Sequence, residues 1–341
     1  MENNLLPHRS DEVYNLLKDI KEGRKSVTQK PLDLSGISLA GRDLSGMDLS
    51  MIDISGADLT ETNLTGAKLF KSNLQKVTLM RATLEGAELT GADLSKAVLE
   101  EANAKHVGLG MANLKQANIF RCNLEGATLS LADLEGADLR NAFMRDTRIR
   151  ETNLSGADLT NADLRSTDLS LSNVSGASFS NADMREARLR AVHGFEKANW
   201  IGVDVRNVNF AGAYRLRRFI QDQNFIKEFR EANRVTSALY YLWWLTSDCG
   251  RSMLRWCIWI GLLACFFGWL YSLVEIDYGN HPTWLSPFYY SVVTLTTLGY
   301  GDVQPASLGG QIVAMLEVIS GYMMLGGLLS IFSNKIARRA D

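Results

Sequence analysis

Histidine and cysteine are both scarce in this chain, at four each among 341 residues. None of them stands in metal-ligand spacing, and no nucleophile is paired with a base, so the sequence makes no case for an enzyme. No glycine-rich phosphate cradle occurs either: Gly108 and Gly110 lie inside a repeat and do not follow a strand. The net charge of −2 leaves no electrostatic footprint for nucleic acid. Cys257 and Cys265 fall in an apolar segment, Cys249 just before it, and Cys122 in a column of small residues. All four read as small apolar fillers and not as reactive thiols.

A period of five residues fills the N-terminal half. Counting in fives from Leu34 to Leu189 gives thirty-two positions, each Leu, Ile, Met, Val or Phe except Ala104. Two residues earlier lies a second column, which from Ala57 to Ala187 holds only Ala, Ser, Thr, Cys and Val. The residue between is often Asp or Asn, as at Asp58, Asn63, Asp93 and Asp158. Period five suits neither a helix nor a strand; it fits a chain that turns a corner every five residues. This A-(D/N)-L-x-x pattern resembles the pentapeptide-repeat family. The resemblance implies a right-handed quadrilateral β-helix over 32–212, with four pentapeptides per coil. One inserted residue near Val192–Phe195 shifts the frame, which resumes at Phe195, Trp200, Val205 and Phe210. Nine coils stacked at strand spacing would make a rod roughly 43 Å long.

Such a rod has open ends that need covers. The first inward small positions, Leu32, Ile37, Arg42, Met47 and Ile52, break the pattern, so the first coil is expected to be irregular. Within 1–31, an amphipathic helix from Ser10 to about Glu22 is expected to cap it, with Ser10 as N-cap, Gly23 as stop, and Val13, Leu16, Leu17 and Ile20 as its apolar stripe. A linker, 213–251, follows the rod. Its run Ala238–Leu245 (ALYYLWWL) is too short to span a bilayer. Tyr and Trp favour interfaces, so it reads either as a helix on a membrane surface or as a packing helix at the rod's end.

Two stretches near the end are long enough to cross about 30 Å of hydrocarbon. They are Trp256–Glu275 and Ser307–Ser333, and the second carries a single carboxylate, Glu317. Basic residues crowd 213–255 and return at Lys335, Arg338 and Arg339, whereas 275–306 has no Lys or Arg. The positive-inside rule then expects both termini in the cytoplasm, including the short basic tail 336–341, and two crossings of a plasma or inner membrane.

Between the crossings stands Thr-Leu-Thr-Thr-Leu-Gly-Tyr-Gly-Asp, residues 294–302. Stripping water from a cation requires several carbonyl oxygens aimed at one axis. The backbone must then alternate between ordinary and left-handed dihedrals, which glycine permits at Gly299 and Gly301. The run resembles the selectivity filter of two-transmembrane potassium channels, with Leu298 where the family commonly has Val. For a pore domain over 252–335 the resemblance implies K⁺ binding by Thr297, Leu298, Gly299, Tyr300 and Gly301. It also implies a homotetramer in the lipid bilayer, since one chain supplies one filter loop. Asp302, Tyr289, Tyr290, Val293 and Thr296 stand at the family's filter-support positions. An aromatic pair commonly buttresses the filter Tyr, and Val293 replaces the acidic residue that some members place behind it. A short helix from about Ser286 to Thr296, prepared by Pro282 and Pro287, would lead into the filter.

Gly321 falls where such channels often place a gating hinge, and close helix packing is the plainer alternative. Gly326 and Gly327 read as packing. Glu317 reads either as a cavity-lining cation attractor or as a carboxyl bonded to the pore helix. His281 near the outer mouth reads as a loop histidine.

The fold class is therefore a pentapeptide-repeat β-helix followed by linker helices and a two-transmembrane pore-loop domain. The expected function is a K⁺-selective channel without a voltage sensor or cofactor beyond the permeant ion, its repeat domain regulatory or assembling. The alternative is a membrane-anchored scaffold whose repeat domain binds a cytoplasmic protein or ligand. DNA mimicry is disfavoured, because residues 32–212 carry 24 acidic and 19 basic residues.

Overall fold

The computed structural model describes residues 6–22, 34–250, 252–279 and 283–340. The chain divides into two compact units, Met1–Lys227 and Glu228–Asp341. The division lies within the expected linker and not at residue 212, because the helix following the rod packs onto it.

The first unit is the rod. Parallel bridges join each residue preceding an inward Leu to its counterpart twenty residues on, from Ser38 with Asp58 to Asn173 with His193. The offset then becomes twenty-one, at Ser178 with Asn199. The inserted residue is absorbed by a 3-10 turn at Phe195–Lys197, preceded by Gly194 in the left-handed region. Four faces result, beginning with Leu34, Leu39, Leu44 and Leu49. The large column is sealed, with Leu59, Leu134, Leu164 and Trp200 all at 0 % exposure. Phe179 stacks on Trp200 with ring centroids 4.4 Å apart.

The sequence pattern has a local physical cause at each position. The Asp or Asn before each Leu folds its side chain back onto the chain, as where Ser45 N donates to Asp43 Oδ1 at 3.0 Å. Hydroxyls enter the small column only by donating to a backbone carbonyl one coil back: Thr62 to Leu39 O at 2.9 Å, Thr152 to Leu129 O at 2.8 Å. The corner residue two after each Leu has positive φ. Glycine holds some corners, but Lys76, Glu101, Leu131 and Asn161 hold others.

Helix α1, Leu6–Lys21, covers the first coil through buried Leu17, with Val13 and Tyr14 partly buried. It begins earlier than expected, with Pro7 in its first turn, where proline's missing N–H is harmless. Ser10 therefore lies inside the helix and is not its cap. Arg42, the polar intruder in the first coil, pairs with Asp11 and lies over the Tyr14 ring. Gly23, Leu32 and the side chain of Ile20 lie outside the described residues.

At the other end α2, Tyr214–Glu231, buries Leu216 and Ile220 against the rod. Its amide side chains complete the last coil. Gln223 Oε1 accepts from Trp200 N at 2.8 Å, and its Nε2 donates to Ala198 O at 3.2 Å. Asn224 Oδ1 accepts from Gly202 N at 2.7 Å, and its Nδ2 donates to Trp200 O at 3.1 Å. Two side chains thus take the place of the missing next coil.

In the second unit α3, Arg234–Ser247, opens with a reciprocal capping box between Asn233 and Thr236. It contains Ala238–Leu245, of which Leu239, Tyr241, Leu242, Trp244 and Leu245 are exposed. Helix α4, Met253–Tyr271, follows, capped by Ser252. Then come strand β1, Ile276–Asp277, helix α5, Ser286–Leu295, strand β2, Gln304–Pro305, and helix α6, Leu308–Ala340. The two strands pair antiparallel and bring the bases of the intervening loop together. Helix α4 and residues Leu308–Ser333 of α6 are long and apolar enough to cross a membrane.

Candidate functional site

The site is the loop between α5 and β2. Helix α5 carries Pro287 in its first turn and ends at Leu295, one residue short of expectation. Its last carbonyls are capped by the residues that follow: Thr297 N donates to Thr294 O and Leu298 N to Val293 O, both at 3.0 Å. The run 297–302 is thereby anchored to the end of a helix whose aligned carbonyls favour cations.

Backbone φ then alternates. Thr297, Gly299 and Gly301 have φ of 59°, 52° and 78°, while Leu298 and Tyr300 are not in the positive region. An alternation of this kind brings successive carbonyls to one side of the chain, as a dehydrated cation requires. Leu298 and Tyr300 are 58 % and 66 % exposed within one chain.

The support positions divide. Tyr289 Oη donates to Asp302 Oδ2 at 2.9 Å, bridging α5 to the far end of the loop. Val293 is buried behind the run, and Thr296 Oγ1 bonds back to Val292 O at 2.7 Å. Tyr290 makes its contacts within the chain on another side of the helix. Its ring packs against Tyr271 of α4, with centroids 4.7 Å apart, in a buried cluster with Phe267. Adjacent residues on a helix point about 100° apart, so one aromatic serves the filter end and the other the helix interface.

Glu317 has no exposed surface. Tyr271 Oη of α4 donates to its Oε2 at 2.6 Å, and the Ser291 hydroxyl of α5 bonds its Oε1. Ser291 Oγ also lies 2.8 Å from Ala264 O. Both carboxyl oxygens are occupied within the chain, so Glu317 ties α4, α5 and α6 together. Tyr271 and Ser291 escaped the sequence reading. Their signal was Glu317 itself, because a lone buried carboxyl demands donors and the flanking helices offer few hydroxyls.

Gly321 packs against the pore helix. A Cβ added there would collide with the carbonyl oxygen of Leu295 and lie 3.1 Å from its carbon. Helix α6 runs unbroken through this position. Gly327 meets the Trp256 ring in the same manner, whereas Gly326 has nothing within 4 Å. Trp256 Nε1 also donates to Met324 O at 2.9 Å. His281 and Pro282 lie outside the described residues.

Residues 258–338 match the ion channel family, and segments from 33 to 190 match the pentapeptide repeats in eight copies. The pore region is 36 % identical over 70 residues to the calcium-gated potassium channel TvoK of Thermoplasma volcanium, covering 19 % of this chain and 20 % of that protein. It is 31 % identical over 80 residues to the voltage-gated potassium channel regulatory subunit KCNG2 of Rattus norvegicus, covering 23 % of this chain and 17 % of that protein. The chain thus spans a fifth or less of the length of these curated relatives. The rod is similar to HetL, a pentapeptide repeat protein of the cyanobacterium Nostoc, at 30 % identity, covering 57 % of this chain and 90 % of that one with a TM-score of 0.33. The chain joins an ion-channel pore domain related to those of potassium channels to a pentapeptide-repeat β-helix.

Proposed function

We propose that four copies of this chain form a potassium-selective channel, each supplying one filter loop. The observation that carries this reading is the alternation of positive φ at Thr297, Gly299 and Gly301, on a loop anchored to a short helix between two membrane-length helices. Carbonyls of Thr297, Leu298, Gly299 and Tyr300, with the Thr297 hydroxyl, would replace the water around K⁺. One chain offers only a quarter of that ring, which accounts for the exposure of Leu298 and Tyr300. The Tyr289–Asp302 bond holds the loop's outer end, and the Glu317 cluster holds the pore helix in place. Charge asymmetry orients the filter end outward and both termini toward the cytoplasm. The repeat domain is then a cytoplasmic regulatory or assembly module, with Gly321 the position where a bend of α6 would be felt by the pore helix.

The test is bilayer recording of the purified chain. K⁺ and Rb⁺ are expected to pass well and Na⁺ poorly. Comparable K⁺ and Na⁺ permeability would refute selectivity, and absence of current with intact tetramers would favour the scaffold reading.

A further inference from the structure

Twelve arginines lie between residues 32 and 212. Nine of them stand within 4.0 Å of a carboxylate, from Arg42 with Asp11 to Arg206 with Asp204. Arg148, Arg188 and Arg190 make no such pair among the described residues. All three are exposed and all three lie on the fourth face of the rod, near its C-terminal end.

Their placement is set by the coil. Arg148, Asp168, Arg188 and Asn209 succeed one another in one column of parallel bridges. Two residues on, Arg150, Ser170 and Arg190 form the next column, linked by Glu151 N to Ser170 O and Leu171 N to Arg190 O. Four guanidinium groups therefore occupy two adjacent columns over three coils, with strand spacing of about 4.8 Å between coils. One carboxylate, Asp168, stands among them, and its single ion pair, to Arg150, is long at 4.0 Å. Asp146 and Glu186 stand at the corner on one side, Asp146 paired with Arg145, and Glu151 at the corner on the other. A recess of about 510 Å³ opens here, bordered by Arg150, Arg188 and Arg190 together with Asp168, Ser170 and Asn209.

The third face shows what the fourth lacks. There Arg165, Arg185 and Arg206 each fold back onto the Asp two residues earlier, through Nε and Nη2 at 2.5–2.9 Å. On the fourth face the residue two before Arg190 is Arg188, and the residue two before Arg150 is Arg148. The carboxylate that would neutralise each arginine is replaced by another arginine. Uncommitted guanidinium forks match the oxygens of a phosphate two at a time.

We propose that this recess binds a phosphate-bearing anion, either a free phosphate compound or a lipid headgroup. The site is separate from the filter, and the proposal does not depend on conduction.

The test is titration calorimetry on the full chain in phosphatidylcholine nanodiscs. Pyrophosphate probes the free ligand, dihexanoyl phosphatidic acid the headgroup, and citrate is the carboxylate control. Binding of at least one phosphate probe is expected, weakened at least about tenfold in R188Q/R190Q, since each lost charge-assisted hydrogen bond weighs heavily. The control R165Q/R185Q removes the same charge from the third face and is expected to bind as the parent does. Unchanged circular dichroism shows that each variant is folded. Stronger binding of pyrophosphate assigns a free ligand; stronger binding of phosphatidic acid assigns a lipid. No heat with either phosphate probe, equal weakening in both double variants, or equal affinity for citrate would overturn the proposal.

Discussion

The rod and the pore unit bury their apolar residues in opposite ways. Along the rod, the inward Leu column is sealed within a single chain, and both ends are covered by helices of the same chain. In the pore unit, only 11 % of each membrane-length window is buried, and the filter residues stand open. Stacked coils supply each other's neighbours, so a repeat needs no partner beyond its own continuation. Spanning helices have lipid as solvent and need only enough internal contact to fix the loop between them. The rod completes its core within one chain, whereas the pore unit leaves its helix faces and loop open, as the proposed tetramer would require.

The sharpest way to break this comparison is at the filter. Gly301→Ala is expected to abolish Rb⁺ uptake into proteoliposomes, because its φ of 78° lies in the left-handed region that glycine enters at the least steric cost. The rod's melting should be untouched. Selective flux through this variant would detach the filter from the assigned backbone geometry. Separation of the units is nearly as strong a test. A fragment of residues 228–341 is expected to run as a tetramer in detergent, and a fragment of residues 1–227 as a folded monomer. A monomeric pore fragment would mean that the rods hold the assembly together.

Within the rod, Leu134→Ala should cost about 2–5 kcal/mol, the usual range for a sealed core leucine. Thermal unfolding of the 1–227 fragment measures it. A loss no larger than that of the exposed Arg140→Ala would contradict the assigned inward phase. Gln223→Ala removes both hydrogen bonds that α2 makes to Trp200 N and Ala198 O. About 1–3 kcal/mol is expected, the desolvation cost of a backbone group left without its partner. A negligible change would show that water replaces the amide and that the cover acts through Leu216 and Ile220 alone.

The same contrast explains how much was legible in the sequence. Period five is a chain-local signal repeated many times, so the rod, its inserted residue and its inward columns could all be read directly. The alternating backbone at Thr297, Gly299 and Gly301 was equally legible, because it resides in consecutive residues. What escaped depends on contacts made once, across distance. Gln223 and Asn224 carry no pattern that marks them as substitutes for a coil. Tyr290 was marked by its place beside Tyr289, while its contact with Tyr271 of another helix had no signal in the sequence. The partners of Glu317 come from two other helices, and only the demand for them was visible. Gly321 stood out in the sequence, while its close approach to the Leu295 carbonyl depends on another segment.

The smallest expected effect concerns acid. On the third face, Asp163, Asp183 and Asp204 are held below their ordinary value of 3.8, first by the side-chain bonds from Arg165, Arg185 and Arg206. The next-coil contacts are looser, Arg165 Nε to Asp183 Oδ2 at 3.7 Å and Arg185 Nε to Asp204 Oδ2 at 3.6 Å. A carboxyl whose folded value is depressed binds protons more weakly folded than unfolded. Its contribution is therefore complete above the unfolded value, near pH 4, and lost as pH falls through the folded one. Melting of the 1–227 fragment should thus decline below about pH 4, and each pair should contribute little because it is exposed to solvent. Asp183→Asn, which cannot ionise, should flatten that decline while lowering stability slightly at pH 7. A variant as acid-sensitive as the parent would show that the ladder on this face is decoration on a core that already holds itself together, which is the comparison in its strongest form.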